Sequence, residues 1–588
     1  VVETERISFV GNRAYSDRRL RRVLESTQAG LFRQIIRRDT FIAERIALDR
    51  QLLTDFYLDR GYVDFQVLSV TPELARGRDA YFVTFNVQEG QQFSLGQISA
   101  RSEIEEIDAA PYQAAIRISS GQTYSPRLID NTISRLENLA TQQGQRFVRV
   151  EPVITRNNAE QTLDVAFVIS RGERVFVERI DIEGNATTLD RVIRQQFTTV
   201  EGDPFDPRAI RQAAERLRAT GFFADVAVEG RPGTASDQVI VDVDVQEQPT
   251  GSLSFAANFS TDTGVGLAVT FSESNFLGRG QELNFSFNTT EGSRALNFSF
   301  TEPQFLSRDL SLNLRAFYTE TTSQNRDYDT LDIGLRGGLG FPVSEFGRMN
   351  AYFGVEQNEI SNIDTASTSP IIAADEGDRL SSYVGLQYAY DTRGTGIDPT
   401  RGVRLQFGAE YAGLGGDVDY LQATFLGIAE QQVLREEVTL RASFEAGAIE
   451  ALSGNTRVSD RFFLNSRQMR GFEPFGLGPR DTEATDEDAL GGNFYAAARF
   501  EAAFPIGLPD EYGISGGLFY DVGSVWGLDN TAGAGGEVDD SQRWRQTIGV
   551  SVFWDTALGP LRFNFSHPLV SESYDLTREF DLTIEARF

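Results

Sequence analysis

Two patterns of apolar and polar positions divide the chain. From Ser252 onward they alternate with a period of two. In ELNFSFN, residues 282–288, Leu283, Phe285 and Phe287 share one face and Asn284 and Ser286 the other. In LSLNLRAFY, residues 310–318, Leu310, Leu312 and Leu314 oppose Ser311, Asn313 and Arg315. This spacing predicts strands with one oily and one polar face. Sixteen such segments run between Ser252 and Phe588. A soluble antiparallel sandwich alternates in the same way, but sixteen strands exceed what a sandwich holds. The connections also alternate between tight ones, such as 556–560 and 341–347, and long polar ones, such as 527–544. Short turns on one rim and long acidic loops on the other predict a sixteen-stranded antiparallel transmembrane β-barrel. In lipid only a closed sheet satisfies every strand's backbone groups.

Before Ser252 the pattern repeats with a period of about 80 residues. Two segments, 124–152 and 205–230, each carry a capping residue (Ser125, Asp206), a proline at the first helical position (Pro126, Pro207) and apolar residues at matching offsets (Ile129 and Ile210, Leu136 and Leu217). Each ends its helix at a glycine, Gly144 or Gly221, before an alternating strand; these are ordinary helix start and stop signals. A third copy, 44–67, stops at Gly61. A short strand precedes each helical region, with ISFVGN (7–12) returning as IDIEGN (180–185), and a second alternating run follows at 81–90, 163–172 and 239–247. One repeat therefore reads strand, helix, helix, strand, strand, long enough to bury its own α+β core. The predicted domains are 1–91, 92–175, 176–248 and a barrel over 249–588.

Composition narrows the chemistry. There is no cysteine and one histidine, His567, which excludes Cys/His metal centres, disulfides and Ser-His or Cys-His catalysis. All 55 basic residues are arginine and the net charge is −30. Residues 1–247 hold 31 arginines against 37 acids, the rest 24 against 48. Nucleic acid is excluded as a partner, because phosphate binding needs the opposite sign. No apolar run is long enough for a membrane helix, which takes about 18 residues or more. Nor does a leader begin at Val1, so any export signal lies outside this sequence. The carboxylates fit an acidic lumen and acidic loops better than paired general acids, so no enzyme activity and no cofactor are expected.

Several phrases resemble the outer-membrane-protein assembly factors, a family in which periplasmic POTRA domains precede a sixteen-stranded barrel. They are GFFADVAV (221–228), QEQPTGSLSFAANFS (246–260), SESNFLGRGQELNFSF (272–287), TEPQFLSRDLSLNL (301–314) and RQMRGFEPFGLGPRD (467–481). The resemblance covers essentially the whole chain. It implies that the three repeats are the third, fourth and fifth of five POTRA domains, and that the loop over 452–492 folds into the lumen. The family's sixth-loop signature is matched by Met469, Arg470, Gly471 and Phe472, with methionine where valine or isoleucine is usual. Its arginine is expected to pair with acids on strands twelve and thirteen, Glu501 and Asp521. The strand-thirteen motif is matched by Phe519, Asp521 and Gly523.

The resemblance further implies that the protein folds and inserts client outer membrane proteins. Templating would occur at a lateral gate between the first strand, with Ser252, Ser254 and Ala256, and the last, with Phe580, Leu582, Ile584 and Phe588. The last segment alternates without error and ends in phenylalanine, so the chain itself resembles a client. Expected partners are unfolded outer membrane proteins, periplasmic assembly lipoproteins at the POTRA domains, and outer membrane lipids. Alternatives are a three-POTRA translocation-and-assembly subunit for autotransporters or a two-partner-type secretion transporter.

Overall fold

The computed structural model describes residues 3–28, 45–75, 80–145, 147–172, 175–322, 328–393, 400–509, 512–556 and 559–587. Residues 3–248 form three small α+β repeats and residues 249–587 a closed barrel.

Each repeat holds one three-stranded sheet in which the third strand lies in the middle, parallel to the first and antiparallel to the second. In the third repeat the strands are Phe176–Glu183, Phe223–Pro232 and Gln238–Glu247. Its helix Pro207–Ala219 buries Ile210, Ala213, Ala214 and Leu217, the three-and-four spacing that puts one helical face on the sheet. Asp206 caps this helix, accepting from Arg208 N at 2.9 Å. Ser125 does not do the same for helix Pro126–Gln142. Its hydroxyl donates instead to Asp59 Oδ1 of the first repeat at 2.9 Å, so what reads as a cap in sequence is a tie between repeats. The helix-ending glycines Gly61, Gly144 and Gly221 have φ of 84°, 82° and 71°, the left-handed stop that favours glycine.

The barrel contains sixteen strands in sequential order, all antiparallel, with the last paired to the first. Large apolar side chains face outward: Leu253, Phe255, Leu267, Phe271, Phe285, Leu314, Phe444, Leu518 and Phe565 are all exposed. A soluble sandwich would bury such residues, whereas a membrane barrel presents them to lipid. Loop lengths depart from the expected alternation. The loops at 362–376, 454–493, 527–544 and 571–579 are long, but the connections 261–263, 291–292 and 417–418 on the same rim are tight turns. His567 lies inside the fifteenth strand, Gly559–Val570, opposite Ile548.

Candidate functional site

The eleventh strand, Val438–Ser453, and the twelfth, Phe494–Phe504, are joined by the loop carrying the Met-Arg-Gly-Phe motif. Arg470 is 1% exposed, among the most deeply buried large side chains of the protein. Its Nε and Nη2 donate to Asp521 Oδ2 and Oδ1, both at 2.7 Å, and its backbone N–H reaches Oδ2 at 3.1 Å. Nη1 donates to Glu501 Oε2 at 2.6 Å. The guanidinium stacks over Phe519, 3.6 Å from the ring centre. One planar fork thus engages two carboxylates and an aromatic face, a set of contacts lysine cannot reproduce.

Glu501 lies on the twelfth strand and Asp521 and Phe519 on the thirteenth, Ile514–Trp526, with Glu501 opposite Phe519 in register. Gly471 has φ +93°, and a Cβ there would lie 2.7 Å from Thr547 Cγ2 on the wall. Glycine is required both by backbone angle and by close approach. Met469 and Phe472 pack with Leu464, Leu477, Ala497 and Val525. Gly523 leaves room for this cluster, since a Cβ would meet Leu464 Cδ1 at 3.0 Å and Met469 Sδ at 3.3 Å.

Sequence reasoning missed several participants. Arg562 of the fifteenth strand donates to Glu501 Oε2 at 2.5 Å, and Arg499 lies 3.7 Å from Asp521. Three guanidiniums therefore surround two carboxylates. Their only signal was an arginine at an inward, polar position of an alternating strand. Arg480, in the Gly478-Pro479-Arg480 segment that follows the motif, instead clamps its own loop, donating to the carbonyls of Phe475 and Glu487 at 2.6 and 2.5 Å.

The loop also grips the approach to the last strand, Phe580–Arg587. Arg578 N donates to Gly471 O and Glu473 N to Leu576 O, both at 2.9 Å. Arg578's side chain bonds to Glu473 and to Asp262, in the turn after the first strand, and Ser466 Oγ donates to Asp262 as well. Thr261 Oγ1 donates to Asp581 Oδ1 at 2.5 Å across the seam.

The seam is shorter than the sequence suggests. The first strand is Gly251–Ser260, but only Ala256–Ser260 are in register with Thr583–Arg587. Ala256 faces Arg587, whereas Ser252 and Ser254 lie beyond the paired segment. Phe580 is exposed and Leu582 half-buried; Ile584 faces Phe259 in register, and Phe588 lies outside the described residues.

Comparison with known proteins agrees with this architecture. Residues 275–588 match the Omp85 superfamily domain, and residues 2–90 and 175–248 match the POTRA surface antigen variable number repeat. The intervening repeat has the same element order and sheet. The chain is 27% identical to the outer membrane protein assembly factor BamA of Neorickettsia risticii over 584 residues, 99% of this chain and 78% of that protein. It is also 27% identical to BamA of Neisseria meningitidis serogroup B, with the same coverage. BamA from Haemophilus ducreyi lacking POTRA domains 1–3 shares the fold, with a TM-score of 0.61 at 20% identity, covering 84% of this chain and 100% of that one. With more than half its length matched, the chain belongs to the Omp85 superfamily and is an outer-membrane β-barrel whose POTRA repeats lie on the periplasmic side.

Proposed function

We propose that the protein assembles other outer membrane β-barrels, opening its seam so that the first strand templates an incoming one. The observation that carries this reading is the short register. Gly251–Phe255 have a strand partner on one side only among the described residues, and a strand edge with unpaired N–H and C=O groups accepts a further strand. The client's own folding in the bilayer supplies the free energy, and neither nucleotide nor cofactor is required. The relatives named as assembly factors support the same role.

In this reading the loop carrying Arg470 is a lumenal brace. It ties the wall at Glu501 and Asp521 to both sides of the seam through Arg578 and Asp262, so the extracellular end stays joined while the periplasmic end opens. The repeats correspond to the three barrel-proximal POTRA domains of longer relatives. Their sheet edges, such as Val148–Asn157 with Val153 and Ile154 exposed, would receive client segments or periplasmic lipoproteins by strand addition.

The test uses the absence of native cysteine. Ala256 and Arg587 face each other in register at the periplasmic end of the paired segment, so Ala256→Cys with Arg587→Cys locks the opening end of the seam on oxidation. Client insertion should stop in the oxidised protein and return on reduction. Insertion at the normal rate through a locked seam would rule the gate out.

A further inference from the structure

The three most exposed large apolar side chains among the described residues are Leu434 (74%), Leu306 (70%) and Leu277 (67%). All three adopt left-handed backbone, with φ of 51°, 58° and 55°. A leucine Cβ is crowded there by the neighbouring carbonyl, and turns needing this conformation ordinarily take glycine or asparagine. Neither burial nor local backbone preference therefore accounts for leucine at these sites.

Their placement is shared as well. Leu277 follows the strand Gly264–Phe276, Leu306 follows Ser293–Glu302 and Leu434 follows Asp419–Val433. All three turns occupy the rim at which the chain enters the barrel at Gly251, the periplasmic one. Each leucine is followed within two residues by an exposed arginine, Arg279, Arg308 or Arg435. The strands flanking these turns carry lipid-facing apolar residues near the same rim, with Phe271, Phe298 and Leu440 exposed, so the tips continue an apolar surface that meets the membrane.

We propose that these leucine–arginine tips are membrane anchors, the leucines entering the periplasm-facing leaflet and the arginines gripping phospholipid phosphates. An aliphatic side chain at the headgroup boundary leaves water without entering the protein core. A guanidinium beside it matches phosphate geometry with two parallel donors. The acids of the third turn do not oppose this uniformly, since Glu436 is turned inward and 6% exposed. Three anchors on one rim would fix the height of the barrel in the bilayer at the end where its seam is unpaired.

Single substitutions Leu277→Cys, Leu306→Cys and Leu434→Cys in the cysteine-free chain provide the test. Each is labelled with an environment-sensitive nitrobenzoxadiazole dye and reconstituted into vesicles of phosphatidylethanolamine and phosphatidylglycerol. Blue-shifted emission is expected, quenched by lipids bearing a nitroxide near the headgroup and insensitive to aqueous iodide. Iodide quenching without nitroxide quenching would overturn the proposal, as would shielding that arises only after a client or periplasmic protein is added. A second variant separates insertion from folding. Leu306→Asn suits the left-handed backbone and should leave the barrel folded, while a dye on Ser307→Cys beside it should lose most of its nitroxide quenching. Undiminished quenching there would show that the leucine does not anchor the turn.

Discussion

Arg470 concentrates the electrostatics of the barrel at one side chain. A buried ion pair replaced whole by apolar residues costs little, but removing one partner leaves an uncompensated charge and costs about 3–5 kcal/mol. Arg470→Ala strands both Asp521, which is 0% exposed, and Glu501, although Arg562 and Arg499 remain to offset part of the loss. We therefore expect a marked fall in the temperature at which the folded barrel loses its compact mobility on gels. Arg470→Lys should fall between, because one ammonium cannot span both carboxylates. Equal stability of all three proteins would refute the pinning role. Gly471→Ala tests the neighbouring backbone: left-handed strain alone costs about 1–3 kcal/mol, and the added Cβ meets Thr547 Cγ2 at 2.7 Å. Adding Thr547→Ala should recover the steric part and leave the strain, so the double variant should melt above Gly471→Ala and below the parent.

Within elements, the recurring Gly-Asn after the first strand of a repeat has a physical reason visible only in three dimensions. Gly11 and Gly184 have φ of 96° and 89°, and a Cβ at each would lie 2.0 Å from Val87 O and 1.9 Å from Val245 O. The first strand ends where its backbone passes against the middle strand's carbonyl, and no other residue fits. Gly184→Ala should loosen the third repeat while leaving the barrel intact. In limited tryptic digestion of the full chain, cleavage within 176–248 should come earlier than in the parent while the barrel's mobility on gels is unchanged. Unaltered cleavage would mean that the repeat tolerates the clash.

For the molecule as a whole, the seam is the place where the closed sheet is least complete. Among the described residues Gly251–Phe255 pair with the second strand but not with the last, so about half of their amides lack a strand acceptor. Hydrogen exchange in vesicles should show 251–255 exchanging well ahead of the second strand, Gly264–Phe276, which is paired on both sides. Matching protection in the two strands would contradict the short register. Alternation with a period of two determined the barrel class and strand number from the residues alone, because each side chain of a barrel strand must meet either lipid or lumen. Stop glycines marked all three repeats and helix-starting prolines two of them, because those signals act within a few residues. The motif on Arg470 and its partners Glu501 and Asp521 was also legible, through family resemblance rather than spacing. Register, however, depends on where a strand ends against a neighbour more than three hundred residues away. The same holds for Arg562 on Glu501, for Arg578 joining the loop to the first turn, for Ser125 bonding Asp59 instead of its own helix, and for three leucines held at positive φ on one rim. None of these has a local signature; each exists only because closing the sheet and stacking the repeats brings distant groups within hydrogen-bond reach, and that is what tertiary structure decided.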